Sequence, residues 1–402
     1  MAHLPAREQD GLLRETARLL MQGAGAGYGK NMVEAAWDSP DFKTLEKLTE
    51  NVYHFAGAKN FHELRDITDA LRDGDRLRSF EEFHGEADKI IGKYNREWLR
   101  TEYSQAVAAS QAAARWNGFE QNKDGMPFLQ YQAIMDVNTR PEHAGLNGII
   151  KRMNDPFWSQ YYPPNGYGCR CEAVQMPKSS CRETPDTKIT LPPVPEMFKV
   201  NFGKQGVAFP QGHPFFKRLP KEQVHLLKER SRMEVRRIIR NAEEFKKLDA
   251  NTDYKDVKFD FATGGLKATH REHNFDPQKG HYEKDVQNIG YQHGNAVVFG
   301  AEKGKGIGIK YTEGTWNYQN FEIRGCETGT AGNIRSGLKH CAIKGDTKIA
   351  VLYFPEKNFT QAAFDEGLIK YNGLKTQPGK QYLKFEKIIC IQNGEIILEI
   401  NH

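Results

Sequence analysis

The stretch Tyr162-Pro163-Pro164-Asn165-Gly166-Tyr167-Gly168-Cys169-Arg170-Cys171 restricts this chain more than any other. Two consecutive prolines fix two φ angles, while Asn-Gly and Tyr-Gly supply positions able to take positive φ. Two thiols follow at once. Thr139-Arg140-Pro141-Glu142-His143 upstream adds an imidazole within folding distance, with Asp155-Pro156-Phe157-Trp158 between them. A loop this rigid is expected to hold something. His143, Cys169 and Cys171 are zinc-type donors, with Asp136 as a conceivable fourth. Cys-x-Cys is not the usual knuckle spacing, so buried thiols beside a hydrogen-bonded histidine form the competing reading. Trp158, Tyr161, Tyr162 and Tyr167 read either as an interaction surface or as a local aromatic core behind the prolines.

Thr-Arg-x-x-His, Asp-Pro-Phe-Trp and Pro-Pro-Asn-Gly-x-Gly-Cys-Arg-Cys, in this order, resemble the signature of the phage Mu protein F family, the minor head (head morphogenesis) proteins of tailed phages and prophages. The likeness extends through Trp37-Asp38-Ser39-Pro40-Asp41-Phe42, Phe202-Gly203-Lys204 and Phe209-Pro210-Gln211-Gly212-His213-Pro214-Phe215, and takes in about half of the chain. It implies a structural role at the capsid or portal, portal and capsid proteins as partners, and a place in the virion after synthesis in a bacterial cytoplasm. It does not by itself imply catalysis.

At 402 residues the chain exceeds what one core sustains, so two or more domains are expected. No apolar run is long enough for a membrane span, and the opening residues lack a signal core. A net charge of +5 over this length is a weak pointer to nucleic acid. Six scattered cysteines fit a reducing compartment rather than a disulfide framework. The pattern is helical from Glu8 to Gln111, and the small residues Ala106 to Ala114 read as a tightly packed helix. The fold class expected is multidomain, with a mainly α N-terminal head module and a C-terminal α+β domain holding a small, mostly antiparallel sheet. The boundaries expected are residues 1–178 for the head module, 179–219 for a Pro/Gly-rich linker and extension, 220–256 for a charged, solvated helical connector and 257–402 for the last domain. Within that domain, strands are expected at Asn295–Phe299, Gly306–Tyr311, Asn320–Arg324, Lys348–Phe354, Lys387–Gln392 and Glu395–Ile400, with Asn393-Gly394 turning the final hairpin.

The tail concentrates groups suited to metal-free RNA cleavage, which needs a base, an acid and a fixed cation beside the phosphorane. Thr269-His270-x-x-His273-x-Phe275-Asp276, Tyr282-Glu283-x-Asp285-Val286-Gln287 and Phe321-Glu322-Ile323-Arg324 resemble toxin domains of contact-dependent growth inhibition proteins, grouped with barnase, EndoU, colicin and RelE-like nucleases that mostly cut tRNA. The resemblance implies an RNA substrate, an immunity protein as partner and no cofactor. His270 is expected as general base or acid, His273 as its partner, Glu283 as orienting carboxylate and Arg324 as phosphorane stabiliser. Thr330, Asn333 and Lys339 are expected on substrate phosphate.

Blander readings stand beside these. Histidines three apart share one helix face and pack there, Glu322 pairs with a neighbouring lysine, and Arg324 is an edge charge. A rival catalytic reading places a metal on Glu302, Glu313 and Glu322, in the manner of restriction-endonuclease-like nucleases, although arginine stands where their lysine belongs. In a reading of a different class, the tail is purely structural and binds portal, scaffold or DNA. The hydrolytic reading requires His270, His273, Glu283 and Arg324 to share one concave surface.

Overall fold

The computed structural model describes residues 6–278, 280–301, 312–344, 346–374 and 385–401. Two compact units divide the chain, Met1–Arg237 and Ile238–His402. Among the described residues no helix is long and apolar enough to cross a membrane.

Unit 1 opens with helices α1 (Ala6–Tyr28) and α2 (Pro40–Asp69), followed by a minimal hairpin, β1 (Arg72–Asp73) and β2 (Arg76–Leu77). Helix α3 (Phe80–Gly92) then runs through a π-helical turn, Lys93–Trp98, into α4 (Leu99–Asn122). Ser39 caps α2 by accepting from the Phe42 N–H, and Pro40 occupies the first turn, where its missing donor costs nothing. Helices α1 and α4 approach closely because small residues face each other. Ala106, Ala109 and Ala113 are fully buried, and a Cβ at Gly27 would fall 2.2 Å from the Val107 carbonyl oxygen. The tight packing expected of the alanine run is therefore present.

A three-stranded antiparallel sheet, β3 (Phe128–Gln132) between β4 (Ile150–Arg152) and β5 (Glu172–Met176), carries the Cys/His loop. The short helices α5 (Pro141–Ala144) and α6 (Phe157–Tyr161) lie in its connections. Within 179–219 the irregular extension that follows the linker is packed into the unit. Val194, Phe198, Val200, Phe202, Phe209, Phe215 and Phe216 are all buried, and α7 (Phe202–Gln205) and α8 (Pro214–Lys217) form within this stretch. Proline and serine content reports irregular backbone; it does not report exposure.

Helix α9 (Lys221–Asp249) crosses the division between the units. It is no solvated connector, since Leu227 and Val235 are buried before the division, and Ile238, Asn241, Ala242 and Leu248 after it. The second unit thus begins inside this helix and not at residue 257.

In unit 2 the sheet is larger than expected and mixed, with four antiparallel and three parallel pairs. Among the described residues it has eight strands in the order β13-β12-β11-β10-β9-β8-β7-β6. They are β6 (Tyr254–Asp260), β7 (Gly265–His270), β8 (Ala296–Phe299), β9 (Gly314–Trp316), β10 (Gln319–Gly325), β11 (Ile349–Phe354), β12 (Lys387–Gln392) and β13 (Glu395–Asn401). The pairs β7/β8, β10/β11 and β11/β12 are parallel, joined through α10 (Gly280–Gln292), α11 (Ala331–Ala342) and α12 (Gln361–Leu374). Strands in the middle of such a sheet are covered on both faces, which is why Ile349–Phe354 is apolar without a break and wholly buried. One face packs α10 through Val286 and Ile289 on Val297, Phe299, Phe321 and Val351. The other packs α11 and α12 through Ile334, Leu338, Phe364 and Tyr371 on Ala350, Leu352 and Ile388. The final hairpin forms at Asn393-Gly394 as expected, with both residues at positive φ. The expected strand Gly306–Tyr311 and the carboxylate of Glu302 lie outside the described residues.

Unit 1 buries an ion pair between Lys59 of α2 and Glu102 of α4, and the Lys59 Nζ also donates to the Tyr94 carbonyl at 2.7 Å. Burial pulls the Lys59 ammonium down and pushes the Glu102 carboxyl up, against their mutual attraction. Lys59→Ala, which strands the carboxylate, is expected to cost about 3–5 kcal/mol in urea denaturation followed by tryptophan fluorescence, whereas Lys59→Met combined with Glu102→Leu stays close to wild type.

Candidate metal centre and the expected catalytic residues

The Cys/His loop is held by side chains that tie its backbone to the rest of unit 1. Tyr131 of β3 donates to Asn165 Oδ1 at 2.9 Å, and Tyr162 donates to the Ala112 carbonyl of α4 at 2.9 Å. Arg140 Nη2 donates to the Tyr167 carbonyl at 2.7 Å, and Tyr167 itself meets His213 Nε2 at 3.0 Å. The Pro163–Pro164 peptide bond is cis. Gly168 takes the positive φ expected of it, whereas Gly166 does not; there a Cβ would lie 3.2 Å from the Arg140 guanidinium, a tight contact from which that side chain would have to shift. Tyr131 and Asn165, both buried, are the supporting residues that sequence reading missed. Asn-Gly signals a turn, and nothing local reveals a partner 34 residues away.

The loop brings the three expected donors together. His143 Nδ1 stands 3.6 Å from Cys169 Sγ and 3.6 Å from Cys171 Sγ, and the three atoms lie within 4.8 Å of one another. A tetrahedral zinc with nitrogen at about 2.05 Å and sulfur at about 2.3 Å separates such ligands by about 3.6 Å. The donor set and its spacing therefore fit the ion. The hydrogen bond from Cys171 pulls the Cys169 thiol down to about 4 against the effect of burial, with His143 lowering it further. Cys171 moves up as the member that keeps the proton. Asp136, the conceivable fourth ligand, is engaged elsewhere, bound by both terminal nitrogens of Arg170 at 2.6 and 2.7 Å, and this guanidinium holds its carboxyl far below the usual range. A cleft of about 100 Å³ lined by Gln111, Arg115, Tyr162, Pro164, Cys169 and Cys171 opens beside the sulfurs. An ion held there by these three donors would leave its fourth position open to water.

The groups expected to cleave RNA are not assembled in one place. His273 and Glu283 do meet, with Nε2 3.5 Å from Oε2. They sit on the face covered by α10, where the His273 ring stacks on Phe299. His270 ends β7 on the opposite face, the one shared by Leu266 and Ala268, with its ring edge-on to Tyr254 and its Nδ1 accepting from the Glu272 N–H. The two histidines thus straddle a strand end and share no helix face. Arg324 pairs in register with Leu352 on the α11 face, and strands β8 and β9 separate it from β7, roughly 14 Å away.

Thr330 caps α11, its Oγ1 accepting from the Asn333 N–H, and Asn333 Oδ1 accepts from the Thr328 N–H. Lys339 lies nine residues further, about 13 Å along the helix axis, so one phosphate cannot span the three. Of the carboxylates in the rival metal reading, Glu322 is buried on the α11 face beside His340 at 3.2 Å and Lys344 at 3.4 Å, with the strand between it and Glu283.

Comparison with known proteins places the resemblance on unit 1. Residues 63–174, which include the whole Cys/His loop, match the family described as Phage Mu protein F like protein. The chain is 36% identical over 85 residues to the "Putative capsid assembly protein F" of Escherichia phage Mu, covering 21% of this chain and 19% of that protein. It is 41% identical over 78 residues to the "Mu-like prophage FluMu F protein" of Haemophilus influenzae, covering 19% of each. The chain thus spans about a fifth of the length of the curated relatives it matches. No solved structure matches it. Over residues 63–174 the chain is therefore similar to the phage Mu protein F family.

Titration of the full chain with Co²⁺ is expected to give one equivalent of a tetrahedral complex with thiolate charge-transfer absorption. Cys169→Ser and Cys171→Ser each remove that absorption and Asp136→Ala leaves it; a wild-type protein without the band means that the loop holds no metal.

Proposed function

We propose that this chain is a head-assembly protein of a tailed phage or prophage, built into the particle through unit 1 and working among portal and capsid proteins. The observation that carries the proposal is the Mu F-like domain at residues 63–174, which coincides with the rigid loop and its cradle. One of the relatives sharing that segment bears the name of a capsid assembly protein. A metal in the loop belongs to this reading as a staple: an ion on Cys169, Cys171 and His143 fixes the loop against β3 and α5 and keeps its surface constant for docking.

Deleting the gene in the encoding phage is expected to stop the formation of filled heads, and plasmid-borne wild-type chain restores it. Immunoblotting of purified, nuclease-treated particles is expected to find the chain. Normal titre without the gene, together with particles that lack the chain, refutes a head role.

For unit 2 we keep RNA cleavage as a second reading, narrowed to His273 and Glu283, because these two of the four expected groups meet. An immunity protein then covers that face, and tRNA is the substrate class the sequence resemblance supports. The full chain expressed in bacteria is expected to arrest growth and fragment tRNA. His273→Asn and Glu283→Gln abolish the effect while His270→Ala and Arg324→Ala retain it. Intact tRNA under wild-type expression removes the reading, and loss of activity in Arg324→Ala removes the narrowed site.

A further inference from the structure

Three segments distant in the chain converge at one edge of the α10 face: the turn after β7, the first turn of α10 and the residue that precedes β9. They bring His273 Nε2 and one carboxylate oxygen each from Glu283 and Glu313 within 4.8 Å of one another. The imidazole is fixed before any ligand arrives. Its side chain is fully buried, it lies flat on Phe299 with centroids 4.5 Å apart and planes at 3°, and Phe275 closes its edge at 4.7 Å. Nδ1 stands 3.2 Å from the Gly300 carbonyl oxygen. A carbonyl only accepts, so Nδ1 carries a proton and Nε2 is the atom aimed at the carboxylates. Gly300 also donates to the Glu313 carbonyl at 2.9 Å, so the segment that orients the imidazole holds the second carboxylate in place.

The 3.5 Å between Nε2 and Glu283 Oε2 is long for a hydrogen bond of full strength. It is the separation expected for two ligands on one ion, since nitrogen and oxygen at about 2.1 Å subtend roughly 3.4 Å at a tetrahedral metal. The backbone carbonyl behind the imidazole is the usual support of a metal-bound histidine.

We propose that His273, Glu283 and Glu313 form a divalent-cation site in unit 2, of the class that takes zinc or manganese. One imidazole with two carboxylates suits a borderline first-row ion, and the absence of sulfur among the three donors separates this site from the thiol loop of unit 1. The remaining positions of the ion fall to water, which a divalent ion makes more acidic. The site makes His273 a ligand and not a proton carrier, so it is an alternative to metal-free RNA cleavage at the same pair, and uptake of the ion by wild type decides between them.

The test uses the full chain and Mn²⁺ alone, followed by loss of the free-ion electron paramagnetic resonance signal, because manganese disfavours thiolates. Wild type is expected to take up the ion, Glu283→Gln and Glu313→Gln to bind at least about tenfold more weakly, and Cys169→Ser and the exposed-strand control Glu395→Gln to bind as wild type does. Circular dichroism checks the fold of each variant; should Glu283→Gln unfold, the half-buried Glu313→Gln carries the comparison. No uptake by wild type, uptake unchanged in a folded Glu283→Gln or Glu313→Gln, or uptake lost in Cys169→Ser overturns the site.

Discussion

Every residue of α2 from Asn51 to Asn60 is buried, and that single condition organises unit 1. A helix enclosed on all sides usually carries apolar residues throughout, yet this one carries Asn51, Lys59, Asn60, His62 and Glu63 into the interior. Each such group demands a partner, and the partners come from far along the chain. Asn51 accepts from the Ala208 and Phe209 N–H groups at 2.9 and 2.8 Å and donates to the Phe209 carbonyl at 2.7 Å. His62 Nε2 meets the Phe215 carbonyl oxygen at 2.8 Å, and Asn95 donates to Glu63. Phe209 then stacks on Phe55 of the same helix at 3.6 Å. Polar burial here is a device of specificity, because an apolar α2 would accept several segments, whereas these acceptors and donors fit one.

The constraint propagates to the loop. The segment clamped by Asn51 and His62 contains His213, whose Nδ1 accepts from the Phe215 N–H and whose Nε2 meets the Tyr167 hydroxyl. Burial drives the His213 imidazole down to about 4, with Arg218 and Lys59 adding to the shift, so it remains neutral while it braces the loop. Cys169 and Cys171 therefore sit on a backbone held from β3, from α4 and from the 208–216 clamp. Two sulfurs at such closeness need something between them, either the proton that Cys171 now shares with Cys169 or a cation that replaces it.

Legibility in the sequence followed the range of the interactions. The Cys/His loop was readable because proline, glycine and their spacing act locally, and the three donors it promised do meet. The α1/α4 contact was readable because an alanine run has one good use. In the stretch 194–216 the irregular backbone was legible from its prolines, whereas its burial is signalled by the density of phenylalanines. The antiparallel pairs of unit 2 were legible, whereas its size and three parallel pairs were not, although strand–helix–strand order and unbroken apolar runs such as Ile349–Phe354 argue for parallel pairing. The separation of His270 and Arg324 from His273 has a different cause. His270, His273 and Arg324 were grouped by chemical suitability, but alternation along β7 and β10 decides the face of each side chain, and a strand end between the histidines sends them apart. Chemistry selects candidates; periodicity decides whether they can meet.

The two buried carboxylate clusters of unit 2 show what separates a structural charge from an exchangeable one. Glu322 meets His340 and Lys344, two cations carried by α11 and the residues that follow it, so its charge is balanced by the same βαβ unit that buries it. Nothing need enter or leave for that arrangement to persist. At Glu283 the neighbouring histidine is turned the other way, with Nδ1 spent on a backbone carbonyl and only Nε2 presented, and a second carboxylate shares the space. A fold that fixes such a ring by stacking it flat against Phe299 has committed rotamer and backbone to that geometry. Rigidity of this kind is worth its entropic cost where a small, strongly charged partner is to be held at a set distance, which is why the α10 face, and not the α11 face, is where chemistry in this unit is to be sought.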